Sequence, residues 1–211
     1  MSDVTLTIAR DEHPALVRRV KLISWLSLVW MTAEAAIGVL AGVAANSIAL
    51  IGWGIDSTIE GVASLVIIWR FTGTRIHSDE AETTARKVVA VSFFLLAPYI
   101  AVEATRRLVT GNQAGASWTG IGLAISAVVL MPLFGSAKKR IGNRLRSDAT
   151  AGEGTQNILC AYLSLAILVG LAANALLGFW WADPIVALAV AVVAVQAGVQ
   201  TWRGESCEDV C

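Results

Sequence analysis

Six stretches of this chain are almost wholly apolar: roughly 22–43, 47–69, 88–108, 118–137, 153–177 and 184–202. Each is close to the length of about 20 residues that carries a helix across the hydrocarbon core of a bilayer. Inside a membrane every backbone N–H and C=O must find its partner within the protein, so a span is either a helix or part of a closed barrel. Runs this long and continuous lack the two-residue alternation of barrel strands. The expected fold is therefore all-α, a six-helix transmembrane bundle. Small or polar turns separate the runs at Val43–Asn46, at Gly111–Ser117, and between Gly178 and Asp183-Pro184.

Composition supports this. The 211 residues are 56% apolar and 15% charged, with mean hydropathy +0.67, whereas soluble domains are about 25% charged. Lys+Arg and Asp+Glu are both 16, so a cationic nucleic-acid binder is excluded. Three cysteines are too few for a disulfide scaffold. No P-loop, Ser/His/Asp set or H-E-x-x-H motif is present, so neither an ATP-driven machine nor an enzyme is expected.

The basic residues orient the bundle. All 16 except Arg106 and Arg107 fall on one side if both termini are cytoplasmic, as the positive-inside rule requires of an even number of spans. Trp69, Trp118, Trp180, Trp181 and Trp202 fall at span ends, where indole rings favour the interface. The expected organisation is a cytoplasmic segment at 1–21, a membrane domain at 22–202 and a short cytoplasmic tail at 203–211. No cleavable signal peptide is apparent. The setting is integral to a membrane, the cytoplasmic (inner) membrane, with the lipid bilayer as partner. The segments 70–87 and 138–148 read as cytoplasmic loops.

Within the spans lie acids that lipid does not tolerate cheaply. Glu34 is near the middle of the first span, Asp56 and Glu60 are in the second, and Glu153 opens the fifth. No Lys, Arg or His is expected deep in a span to pair with them. Such carboxylates either stay protonated or hold a cation. Asp56 and Glu60 are four residues apart and share one helix face. On the fifth span Glu153, Gln156, Asn157 and Cys160 line one polar stripe. A thiolate with two carboxylates suits Zn²⁺ better than Mg²⁺ or Ca²⁺. Elsewhere the default readings are structural. Glu103 pairs with Arg107, Asp183 caps the sixth helix with Pro184 at its first position, and His77, Asp79, Glu80 and Glu82 form a solvated loop. The tail Cys207–Cys211 is unstructured chain.

The run Asn46-Ser47-Ile48-Ala49-Leu50 leading to Asp56-Ser57-Thr58-Ile59-Glu60, with Ala182-Asp183-Pro184 opening the sixth span, resembles the cation diffusion facilitator family over about residues 20–202. The family pattern is Asn-Ser-x-Ala-Leu followed by D-x-x-x-D, and Glu60 replaces its second acid. The resemblance implies a six-span domain that exchanges Zn²⁺ or a related divalent ion for protons. It places the second half-site, an H-x-x-x-D in the family, at Gln156 and Cys160. Both residues depart from that pattern, and Gln156 cannot titrate near neutral pH. Only residues 203–211 follow the last span, so the family's soluble C-terminal domain, with its dimer and metal-sensing contacts, is expected to be missing. A homodimer is implied by the resemblance alone.

The reading is a secondary transporter of divalent cations, Zn²⁺ foremost, by cation/proton antiport. The metal ligands would be Asp56, Glu60 and Cys160, with Gln156 or water as the fourth. Glu34, Glu153, Asn157 and Asn46 are the candidates for proton carriage or for supporting the ligands. The divalent ion is cargo, and no resident cofactor is expected. Two alternatives stand beside this: a membrane metal sensor or partner protein that does not transport, and a monovalent cation/proton exchanger.

Overall fold

The computed structural model describes the backbone of residues 2–44, 48–111, 118–177 and 181–204, and side-chain surroundings for most of these. It is an all-α bundle of six helices: α1 (Ser2–Ala44), α2 (Ile48–Arg70), α3 (Asp79–Thr110), α4 (Trp118–Leu145), α5 (Asp148–Leu177) and α6 (Ala182–Arg203). A short 3-10 turn, Gly73–His77, joins α2 to α3. Among the described residues there are no strands, and four segments are long and apolar enough to cross a membrane: His13–Ala44, Leu50–Arg70, Asp79–Thr110 and Trp118–Leu145. Asn46, Trp180 and the tail cysteines Cys207 and Cys211 lie outside the described residues, as do most of the turn 111–117 and residue 178.

Every helix but α2 is longer than the apolar run that announces it. The first continues N-terminally of Leu22, where Leu16, Val17 and Val20 join the main core with Ile67, Val89, Phe93 and Ala194. Apolar residues on the outside, including Val29, Leu40, Val102, Val129 and Val192, are exposed in the isolated chain. That is the surface a bundle presents when its solvent is lipid.

The expected 138–148 loop is helix. Helix α4 runs on to Leu145 and closes in a Schellman turn: the Ser147 N–H donates to the Gly142 carbonyl at 2.9 Å and the Arg146 N–H to the Asn143 carbonyl at 3.3 Å. Arg146 occupies the left-handed position (φ 53°) that this turn demands. Ser147 then caps α5, its hydroxyl accepting from the Thr150 N–H at 3.3 Å. One serine thus serves both helices, and no free loop remains.

The 70–87 segment is likewise mostly helical. The Ser78 hydroxyl caps α3 by accepting from the Ala81 N–H at 3.1 Å. Asp79, Glu80 and Glu82 fill the first turn, where the helix dipole favours acids. Glu82 is no open cation lure. It pairs with Arg70 at 2.8 Å and accepts from the Ser147 hydroxyl and the Ala149 N–H, both at 3.0 Å. His77 stacks on His13, with ring centroids 5.9 Å apart.

Two smaller expectations divide. Glu103 pairs with Arg107 at 3.0 Å and also with Arg106 at 3.7 Å. Helix α6 starts earlier than expected: Trp181 is its N-cap, without a side-chain cap bond, so Pro184 sits third in the first turn and not at its first position. Proline is accommodated there because the first-turn N–H groups have no intrahelical acceptor.

Glycines set how closely neighbouring helices approach. In α1 and α2, a Cβ on Gly38 would stand 3.0 Å from the Leu50 carbonyl, and one on Gly54 would stand 2.8 Å from the Ala35 carbonyl. In α4 and α5, a Cβ on Gly142 would meet the Ala151 nitrogen at 2.6 Å, and one on Gly154 would meet the Gly135 carbonyl at 2.7 Å. These are backbone-to-backbone contacts, the small-residue packing by which membrane helices gain van der Waals contact. Glycines thus bring the backbones of α1 and α2, and of α4 and α5, into close contact, while α3 packs along α6.

Candidate metal centre

Asp56 and Glu60 lie one turn apart on α2 because four residues nearly complete a helical turn. Cys160 faces them from α5. One ligand atom from each of the three lies within 4.8 Å of the others. Glu60 and Cys160 are buried and Asp56 is partly so. Among the described residues, Asp56 Oδ1 and both Glu60 carboxylate oxygens have no hydrogen-bond partner. An acid at the centre of a membrane helix costs about 3 kcal/mol by insertion scales. Two of them meeting with no donor beside them but the weak Cys160 thiol are an arrangement that protons or a cation can complete. The thiol adds a soft donor to two hard ones, the mixture that borderline ions such as Zn²⁺ accept.

Glu34, on α1, is fully enclosed, and its Oε1 lacks a partner among the described residues. It lies beside Trp30 and Ser57 and within electrostatic reach of Asp56. The tight α1–α2 contact at Gly38 and Gly54 brings it there. Met31, Ala127, Met131 and Ala161 pack around Cys160 as an apolar wall.

The remaining stripe of α5 divides among different neighbours. Gln156 turns its Oε1 to α3, accepting from the Ser92 hydroxyl at 2.9 Å. Asn157 is buried, and its Nδ2 has no partner among the described residues. Glu153 overturns the expectation that no basic residue is deep in the bundle. Its Oε1 accepts from Lys138 Nζ at 2.6 Å, and neither side chain is exposed. Lys138 Nζ also donates to the hydroxyls of Ser27 at 2.6 Å and Ser64 at 3.2 Å, and Ser64 donates to the same Glu153 oxygen. The reason is the continuation of α4. As helix, residue 138 is carried alongside the start of α5, where a loop would have left it in water.

Sequence reasoning missed Lys138, Ser27 and Ser64. A signal existed in Gly135 and Gly142, seven residues apart and so on one helix face. A close-packing face that extends to residue 142 requires the helix to pass through 138.

Comparison with known proteins agrees with this architecture. Residues 24–204 match the family described as the cation efflux transmembrane domain. The magnetosome protein MamB of Magnetospira sp. is 27% identical over 171 residues, covering 77% of this chain and 58% of that protein. An uncharacterized transporter of Synechocystis sp. is 25% identical over 166 residues, covering 75% of this chain and 54% of that protein. The chain thus spans little more than half the length of these curated relatives. With a helical bundle of membrane-spanning character and a family match over most of its length, this integral membrane protein belongs to the cation efflux transmembrane domain family.

Proposed function

We propose that this chain is the membrane part of a secondary transporter of divalent metal cations, with Zn²⁺ the preferred cargo and protons the counter-ion. The observation that carries the reading is the meeting of Asp56, Glu60 and Cys160 within 4.8 Å, with Asp56 Oδ1 and both Glu60 oxygens lacking a hydrogen-bond partner among the described residues and the nearby Lys138 ammonium bound to Glu153. Family membership supports a cation as cargo and transport in place of catalysis. Both carboxylates and the thiol bind metal in their deprotonated forms, so loading releases protons and reprotonation ejects the ion. Gln156 or water completes four-coordination, the first requiring its bond to Ser92 to break. Glu34 is the acid best placed to carry a proton beside the cluster.

Alternating exposure follows from two packed helix pairs that rock against one another around a site near the bundle centre. The excess of Lys and Arg on one side supports cytoplasmic termini in the inner membrane. A homodimer is the proposed assembly, on family likeness alone.

The test is Zn²⁺ uptake into proteoliposomes, with a pH dye reporting proton movement. Asp56→Ala and Glu60→Ala each lower uptake at least tenfold, and wild-type uptake drives protons the opposite way. Wild-type rates in both variants would overturn the site.

A further inference from the structure

The metal cluster straddles a seam. Asp56 and Glu60 ride on the glycine-joined α1–α2 pair, and Cys160 rides on the glycine-joined α4–α5 pair. A second polar layer crosses the same seam. Ser64 is one turn beyond Glu60 on α2, about 6 Å along the axis, and Glu153 is two turns before Cys160 on α5, about 10 Å. Both displacements run toward the end of the bundle that carries Arg70 and the α4–α5 turn. In this layer Lys138 and Glu153 belong to one helix pair, and Ser27 and Ser64 belong to the other. All four side chains are buried.

The bonds in the layer are unequal in a way that decides where it parts. An ammonium has three donors, and here they meet Glu153, Ser27 and Ser64. Separating Lys138 from Glu153 would strand two opposite charges away from water, which is costly. Parting the two helix pairs breaks the bonds of Lys138 to the two serines and the bond of the Ser64 hydroxyl to Glu153, and in each of them water can take the place of the hydroxyl, at far lower cost than splitting the ion pair. The ion pair lies within one helix pair, and every bond of the layer between the pairs has a serine hydroxyl on one side that water can replace.

We propose that Lys138, with Glu153, Ser27 and Ser64, is the gate on one side of the cation site. When the gate opens, Lys138 stays with Glu153 on α4–α5 and parts from Ser27 and Ser64 on α1–α2, exposing Asp56, Glu60 and Cys160 to the aqueous phase at that end. Its role in moving a cation rests on the transport reading above, while the gate itself is testable without any cation.

Cys160 is a built-in reporter. In a chain carrying Cys207→Ser and Cys211→Ser, a membrane-impermeant maleimide is applied to sealed vesicles of each orientation, without metal or gradient. The double variant Ser27→Ala/Ser64→Ala is expected to label Cys160 at least fivefold faster than its parent, and from one side only. Lys138→Met/Glu153→Leu removes the layer without stranding a charge and serves if the serine variant does not fold; the same one-sided gain is expected. Labelling at the parental rate in whichever variants fold, or a gain equal from both sides, overturns the gate. Zinc flux in Asp56→Ala is measured separately. Undiminished flux there, with one-sided labelling intact, would discard the transport site and keep the gate.

Discussion

Lys138 Nζ stands 2.6 Å from Glu153 Oε1, with both side chains wholly withdrawn from the surface. Among the described residues this is the charge pair at the heart of the bundle, and it separates two kinds of acid. Glu153 is neutralised by the protein itself. Asp56 Oδ1 and both Glu60 carboxylate oxygens have no such partner among the described residues.

The pair gives the first prediction. Lys138→Met alone strands Glu153 and destabilises the protein by about 3–5 kcal/mol, the usual cost of breaking a buried pair by removing one partner. Adding Glu153→Leu recovers most of that loss. Thermal unfolding in detergent, followed by circular dichroism, compares the two. A double variant no more stable than Lys138→Met would show that the pair is not the source.

Glycine packing gives the second. A Cβ on Gly154 would press on the Gly135 carbonyl and the Lys139 nitrogen, both at 2.7 Å, while one on Gly122 would meet nothing within 4 Å. Gly154→Ala is expected to lower stability by about 1–3 kcal/mol, as overpacking does. Gly122→Ala, in the second turn of α4, is expected to be neutral or slightly stabilising. The same unfolding assay separates them, and equal behaviour would refute the close α4–α5 approach.

The thiol gives the third. Cys160→Ser exchanges a soft donor for a hard one at an otherwise unchanged cluster. Uptake of Zn²⁺ and Cd²⁺ is expected to fall about tenfold or more, with Mn²⁺ affected less. Competition among the three ions in proteoliposomes reads this directly. An unchanged order of preference would remove Cys160 from the ligand set.

The turn between α4 and α5 gives a prediction in pH. At the start of α5, burial pushes the Asp148 carboxyl above its ordinary 3.8, the charge of Glu82 adds to the rise, and Arg86 opposes it. The folded state then holds the proton more firmly than the unfolded state. Stability contributed by this group therefore falls as pH rises from 3.8 through the raised value, and the cost is constant above it. The melting temperature of Asp148→Asn minus that of the wild type should be larger at pH 7 than at pH 4. A difference independent of pH would contradict the raised carboxyl.

What could be read from residues alone follows from rules that act within one helix. Apolar runs of span length, in a solvent that hydrogen-bonds nothing, dictated an all-α bundle. The i, i+4 spacing dictated that Asp56 and Glu60 share a face. Glu103 and Arg107 pair for the same reason. Helix ends were less legible: Lys138, Lys139 and Arg140 read as loop, although lysine and arginine are good helix formers and the apolar core ends before the helix does.

The tertiary structure decided which faces meet. Helical period orders Glu153, Gln156, Asn157 and Cys160 along one stripe but says nothing of their partners. Glu153 met Lys138, Gln156 met Ser92, and Cys160 met Asp56 and Glu60. Those meetings depend on the rotation and separation of each helix against its neighbours, and glycine contacts such as Gly135–Gly154 set these only once two helices are already side by side.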